Sequence, residues 1–188
     1  MDTLDTRRAT VRERIDNLRR GMVRNGLAAV IVPSSDPHLS EYLPERWKGR
    51  EWLSGSRGSV GTLVVTRETA GVWVDSRYWA MAEVQLAGTG IDLMKIPGAA
   101  SAAHLDWLAA TLKAGDTVVV DGTVLALASG RALEAALTVK GVRLRTDLDI
   151  LAEIANISMQ FAQRHGQRLG QELGLDASGF EVDLEGMK

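Results

Sequence analysis

The sequence predicts an α/β fold: one mixed β-sheet of about six strands flanked by helices, followed by a C-terminal helical or irregular tail. Three features carry that expectation. An amphipathic helical pattern runs directly into a short, uniformly apolar segment. Two further apolar segments are separated by Arg67-Glu68-Thr69-Ala70, a length suited to a hairpin. The chain then alternates helical and strand-like patterns as far as Ile154.

Taken in order, Val11, Ile15, Leu18 and Met22 recur at helical spacing and line one face, with Arg and Glu elsewhere. Thr6 is the expected N-cap. Asn25-Gly26 is the expected end, because this dipeptide readily takes left-handed backbone. Leu27–Pro33 (LAAVIVP) is too short for an ordinary helix and rich enough in β-branched residues for a buried strand. Thr62–Thr66 (TLVVT) and Gly71–Asp75 (GVWVD) should pair antiparallel. Asp75 or Ser76 can cap a short helix through Trp79, Ala82, Glu83 and Leu86, ending at Gly88-Thr89-Gly90. Ile91–Ile96 returns as a strand, and Ser101–Lys113 carries Leu105, Leu108, Ala109 and Leu112 at helical spacing. Thr117–Asp121 is a buried strand, Ser129–Val139 a helix, and Val142–Arg145 a last short strand. The composition changes beyond Ile154: glycines recur at 166, 170, 174, 179 and 186, and large apolar residues are few. One helix over roughly Ile157–Leu173 is expected there, weakened by its internal glycines. The chain thus divides into a domain over 1–154 and a divergent tail over 155–188.

The 188 residues carry 22 Lys and Arg against 24 Asp and Glu, so bulk charge favours neither nucleic acid nor an anionic membrane as a partner. Cysteine is absent. A disulfide framework, a thiolate zinc site, an iron–sulfur cluster and a cysteine nucleophile are therefore excluded, and a reducing compartment is permitted. The N-terminal residues are charged on every turn and lack the apolar core of a signal peptide, and no later run approaches the ~20 apolar residues that span a bilayer. A cytoplasmic location without membrane insertion is expected.

His38, His104 and His165 are too far apart in sequence for a local metal-ligand spacing, the carboxylates are scattered, and no G-x-S-x-G elbow occurs. Neither a catalytic residue nor a metal ligand is expected in this chain. The series GSRGSVG places Gly55, Gly58 and Gly61 three apart, but it matches no phosphate-loop pattern and leads into a strand. Its expected role is to let a tight loop approach other backbone closely. Trp47, Trp52, Trp73, Trp79 and Trp107 are assigned to core and interface, since no basic groove accompanies them.

Ligand sites in α/β sheets gather beyond the carboxyl ends of strands, which singles out Ser34-Ser35-Asp36-Pro37-His38 after the first buried strand. The same residues also suit a helix start, with Ser35 or Asp36 as cap, Pro37 in the first turn and His38 merely exposed. Arg77 could grip a carboxylate through two parallel bonds, or pair with a neighbouring acid.

Three blocks add a more specific signal. Ile31–Tyr42 (IVPSSDPHLSEY), Arg50–Thr66 (REWLSGSRGSVGTLVVT) and Val72–Trp79 (VWVDSRYW) resemble, in order and spacing, segments of the aminopeptidase P family, the Xaa-Pro aminopeptidases. The resemblance covers about residues 7–154. It departs at Ser56-Arg57, where the family has Phe-Thr. The resemblance implies a creatinase-type N-terminal domain, related to the ribonuclease-H-like architecture, that gates substrate and supports a homo-oligomer such as a dimer without catalysing the reaction. It also implies that His38, Arg77, Tyr78 and Trp79 lie at a substrate rim or interface. In this family a C-terminal pita-bread domain holds a dinuclear manganese or zinc site through Asp, Asp, His, Glu and Glu. The implied partners are therefore that catalytic domain and proline-containing peptides, with no cofactor in this chain. A standalone peptide- or protein-binding module of the same fold, or the N-domain of a prolidase- or creatinase-like relative, are the alternatives.

Overall fold

In the computed structural model, which describes residues 3–98 and 101–155, the chain divides into two units, Met1–Ile150 and Leu151–Lys188. Residues 151–155 of the second unit are helical. The helix expected over 157–173 lies outside the described residues. The first unit runs α1 (Thr3–Arg24), β1 (Ala29–Pro33), α2 (Gly49–Ser54), β2 (Thr62–Thr66), β3 (Ala70–Asp75) and α3 (Trp79–Leu86). It continues with β4 (Asp92–Ile96), α4 (Ala103–Thr111), β5 (Thr117–Val120), α5 (Leu127–Thr138) and β6 (Arg143–Arg145). Short 3-10 turns occupy Glu45–Trp47 and Gly122–Val124.

The strands form one sheet in the order β4-β3-β2-β1-β5-β6. β2 is antiparallel to both its neighbours, and every other pair is parallel. The expected hairpin is present, with Leu63 opposite Val72. Its turn closes on one side chain: the Thr69 N–H donates to the Thr66 hydroxyl at 3.0 Å, and the Thr66 N–H donates to the Thr69 carbonyl at 2.8 Å. Because only β2 is reversed, all other strands end at the same sheet edge. The loops after β1 and β3 and the loop leading into β2 therefore meet there.

Alternation along the strands explains how both faces are buried. Ala29, Ile31, Val64, Trp73, Val118 and Val120 share one core cluster with Leu108 of α4 and Leu133 and Leu137 of α5. Val30, Val32, Leu63, Val65, Val72 and Val74 alternate with them onto the opposite face and are also buried. A sheet covered on both faces needs apolar residues at successive positions, so its strands read as continuous apolar runs.

α1 buries the four residues that predicted it, Val11, Ile15, Leu18 and Met22. It begins at Thr3 rather than being capped by Thr6. Thr6 is already inside the helix, where its carbonyl accepts the Thr10 hydroxyl at 3.0 Å, and Asp5 in the first turn complements the helix dipole. The end lies where expected: Gly26 takes φ +65° and the Leu27 N–H reaches the Met22 carbonyl at 2.8 Å. On its polar side the helix acts as a clamp. Arg7 donates to the carbonyl of Gly55 and Arg14 to that of Trp52, both at the C-terminal end of α2, while Arg12 donates to the Gly88 carbonyl just beyond α3. A cation at a helix C-terminus meets carbonyls that have no partner within the helix.

Several boundaries differ from expectation. α3 begins at Trp79 with no side-chain cap, because Asp75 is engaged by Arg77. α4 begins at Ala103, whose N–H donates to the Ser101 hydroxyl, and α5 begins at Leu127 rather than Ser129. α2 was not expected at all; at 6 residues it is too short to display a period. Of the five tryptophans only Trp73 is fully buried, the others being half-buried. Its ring meets Trp107 edge-on at a centroid distance of 5.2 Å and His104 at 6.4 Å. Burial there pushes the His104 imidazole below its ordinary value, with Asp106 opposing.

Two outcomes follow. Leu18→Ala should cost about 2–5 kcal/mol of stability by denaturant titration, as a fully buried leucine truncated beneath a sheet. For His104 the folded chain resists the proton that the unfolded chain accepts, so stability should fall as pH drops below about 6.5. His104→Phe should flatten that part of the stability–pH curve, and an unchanged slope would assign it to other groups.

Candidate functional site

The site at the sheet edge is organised around Arg50. In α2 the spacing of Arg50, Leu53 and Ser54 places all three on one helical face, and that face is buried. Arg50 is 4% exposed. Its Nε donates to the Ser34 hydroxyl at 2.7 Å, and its two terminal nitrogens donate to the carbonyls of Ser56, at 2.9 Å, and Gly58. Ser34, immediately after β1, donates its own hydroxyl to the Gly61 carbonyl at 3.0 Å. One guanidinium therefore ties the end of β1 to the loop over residues 55–61. Among the described residues no carboxylate lies within ion-pair distance of it, and burial lowers its pKa, with Glu51 and Tyr78 opposing.

The loop is held on its other sides as well. Gly55 closes α2 in left-handed backbone at φ +70°, donating to the Glu51 carbonyl at 2.7 Å. The Arg57 N–H donates to Gln85 Oε1 of α3 at 2.9 Å. Gly58 lies so close to Tyr78 that a Cβ there would stand 3.0 Å from the ring, a side-chain contact, while the close approach to backbone expected of the glycine series is made by Gly61, where a Cβ would stand 3.0 Å from the Trp73 carbonyl oxygen. Ser59 and Tyr78 share a hydrogen bond between their hydroxyls. The Ser54 hydroxyl donates to the Arg50 carbonyl at 2.7 Å and accepts the Ser56 N–H at 3.1 Å. The Ser56 hydroxyl, by contrast, is buried without any hydrogen-bond partner. It stands where the aminopeptidase P blocks carry Phe.

Of the four residues expected at a rim or interface, two come together. Arg77 grips Asp75 through two bonds, Nε to Oδ1 at 3.0 Å and a terminal nitrogen to Oδ2 at 2.7 Å, so its acid partner is a neighbour in sequence and the geometry is bidentate. These bonds hold the buried Asp75 carboxyl below its ordinary value and raise the Arg77 guanidinium. The guanidinium carbon lies 5.3 Å from the Tyr78 ring centroid, and the Arg77 side chain is 60% exposed. Trp79 is engaged elsewhere: its Nε1 donates to the Val74 carbonyl at 2.9 Å, and Lys95 lies 5.5 Å from its ring centroid. His38 is exposed on the loop after β1, and among the described residues no hydrogen bond or ring contact joins it to the other three.

No helix follows Ser34-Ser35-Asp36-Pro37-His38, which corrects the capping reading. The chemistry of a cap is present without the helix. The buried Asp36 carboxylate accepts the N–H groups of Ser40 at 2.9 Å and His38 at 3.0 Å, and these bonds, Ser40 foremost, lower its pKa. Leu39 then takes φ +54°, left-handed backbone that a helix cannot continue through. The result is a tight turn whose apolar Leu39 and following Tyr42 are exposed.

Sequence reasoning did not select Arg50. The signal available was its position on the same helical face as Leu53, since a residue sharing a face with a buried leucine is itself drawn inward. Among the described residues no three His, Asp or Glu side chains come together to hold a metal, so these residues do not fit a dinuclear centre. No helix among them is long and apolar enough to cross a membrane.

The family profile of the Creatinase/Prolidase N-terminal domain matches residues 14–154, and the chain belongs to that family. Xaa-Pro aminopeptidase 1 of Dictyostelium discoideum is 32% identical over 149 residues, covering 79% of this chain and 24% of that protein. Xaa-Pro aminopeptidase 2 of Rattus norvegicus is 48% identical over 73 residues, covering 39% of this chain and 11% of the relative. The crystal structure of X-prolyl aminopeptidase from Caenorhabditis elegans, described as a cytosolic enzyme with a di-nuclear active site, matches with a TM-score of 0.70 and 29% identity, over 77% of this chain and 25% of that one. The chain spans about a quarter or less of these relatives. The aminopeptidase P resemblance and the creatinase-type fold expected from it are both observed.

The two serines of the loop should respond oppositely to the same truncation. Ser54→Ala removes two buried hydrogen bonds and should cost about 1–2 kcal/mol, whereas Ser56→Ala removes an orphaned hydroxyl and should leave stability unchanged or raise it by about 1 kcal/mol. Denaturant titration of the two variants in parallel checks this.

Proposed function

We propose that this chain serves as the N-terminal domain of an Xaa-Pro aminopeptidase. In this reading it shapes access for proline-containing peptides and contributes to a homo-oligomer, while bond cleavage belongs to a pita-bread region outside it. The observation that carries the reading is the Arg77–Tyr78 pair, built at the sheet edge in a chain whose family profile spans 14–154 and whose match covers only about a quarter of the X-prolyl aminopeptidase structure. Asp75 fixes the inner edge of the Arg77 guanidinium, so the exposed outer edge offers N–H donors in one orientation. Tyr78 adds a half-buried ring with a hydroxyl anchored on Ser59. His38 supplies a second polar point on the neighbouring loop, and Trp79 braces α3 against β3.

In the complete enzyme a dinuclear manganese or zinc centre would supply the activated water. The residues of this chain orient and enclose the peptide and transfer no proton in the reaction. A cytosolic location fits this role. The purified 188-residue chain, supplied with manganese or zinc, should release no N-terminal residue from an Xaa-Pro peptide. Turnover that survives repurification would overturn this division of labour.

A further inference from the structure

We infer that Arg50 is the positioning residue of the Arg77–Tyr78 rim: its buried guanidinium fixes the 55–61 loop, and the loop in turn fixes Tyr78. The inference rests on reading that rim as the peptide-facing surface, and its test is separable from the test of that reading.

Three links connect Arg50 to the rim. The first is the divergent set of bonds from one planar group to Ser34, Ser56 and Gly58. A lysine ammonium carries its donors on a single atom and cannot reach three acceptors spread along both edges of a guanidinium. The second link is the loop itself. Gly58, whose carbonyl Arg50 holds, is the residue packed on the Tyr78 ring, and the adjacent Ser59 bonds the phenol. The third is the Tyr78 ring, over which the Arg77 guanidinium lies while Asp75 holds its inner edge. A loop released from Arg50 loses its seat on the Tyr78 ring first, and the ring then loses its fixed place against the Arg77 guanidinium.

The charge of Arg50 points the same way. A buried cation without a carboxylate is costly to desolvate, and an apolar side chain of similar length would fill the space at less cost. What an apolar side chain cannot do is satisfy acceptors from two separate segments at once. The arrangement therefore favours geometry over stability, as expected of a residue that holds a working surface in place.

The test uses the full chain labelled with 3-fluorotyrosine, because its only two tyrosines give two fluorine resonances. Tyr42, 83% exposed, is the internal reference. In Arg50→Lys the Tyr78 resonance should move toward that of Tyr42, which itself stays fixed, and amide exchange over residues 56–59 should quicken about tenfold or more. Arg145→Lys, at an exposed guanidinium of β6, should move neither. Ser34→Ala deletes one acceptor and should produce the same Tyr78 displacement in smaller measure, so it decides the matter if Arg50→Lys does not unfold cooperatively. A Tyr78 resonance that stays at its wild-type position in folded Arg50→Lys, or in Ser34→Ala where that variant decides, overturns the inference. Addition of an Xaa-Pro peptide to the wild-type chain tests the other reading: an unmoved Tyr78 resonance there removes the peptide-facing rim, while the positioning role is still judged on the variants alone.

Discussion

A guanidinium buried among neutral oxygens sets the geometry of the sheet edge. Arg50 has a hydroxyl and two carbonyls as partners, and each belongs to a segment that would otherwise be free to shift. Hydrogen bonds from a charged donor are stronger than neutral ones, and burial strengthens them further. The same burial makes the charge expensive to hold without a counter-ion. Both effects penalise any rearrangement that breaks one bond and keeps the others, so the end of β1 and the glycine loop are held as one piece. Ser34 extends the connection to Gly61 at the start of β2, which reaches the middle of the sheet.

Sheet topology explains why this fastening is needed there. A single reversed strand, β2, brings the loop that enters it to the edge where the parallel strands end. That loop is rich in glycine and has little side-chain area of its own to bury, so apolar packing cannot locate it. Polar bonds do so instead, from Arg50 beneath, Arg7 of α1 on one flank and Gln85 of α3 on another. α1 shows how one helix serves both needs. Its apolar face is buried with the sheet, while Arg7, Arg12 and Arg14 reach carbonyls at the ends of the two helices that frame the site.

The parts of the fold legible in the sequence were those with a repeat long enough to count. α1 shows its period over four buried residues, and the strands show unbroken apolar runs because both faces of the sheet are covered. α2 is shorter than two turns and carries no such period, yet it supplies the residue on which the site depends. The Asp36 segment shows a different limit. Its cap-like chemistry was readable, but a carboxylate that accepts successive N–H groups does so equally in a turn and in a helix, and the left-handed backbone of Leu39 decided between them. Arg77 and Tyr78 were recognisable from motif position. Their dependence on a residue more than twenty positions earlier was not, since hydrogen bonds to backbone carbonyls leave no mark on the residue types that provide them.

Charge also bears on what the Arg77–Tyr78 rim can recognise in the proposed function. Asp75 lies against Arg77 and neutralises it over any distance larger than the pair itself, so Arg77 exerts little long-range pull on an anion. What remains is directional: N–H donors held at a fixed angle beside an aromatic face. Donors of that kind discriminate by the position of an acceptor rather than by the net charge of the molecule carrying it. A peptide backbone presents carbonyl acceptors at regular spacing whatever its side chains. The pairing of Arg77 with a buried carboxylate thus suits reading the backbone of many peptides more than capturing one acidic ligand. That tolerance is what an access-shaping surface requires when the chemistry is fixed elsewhere.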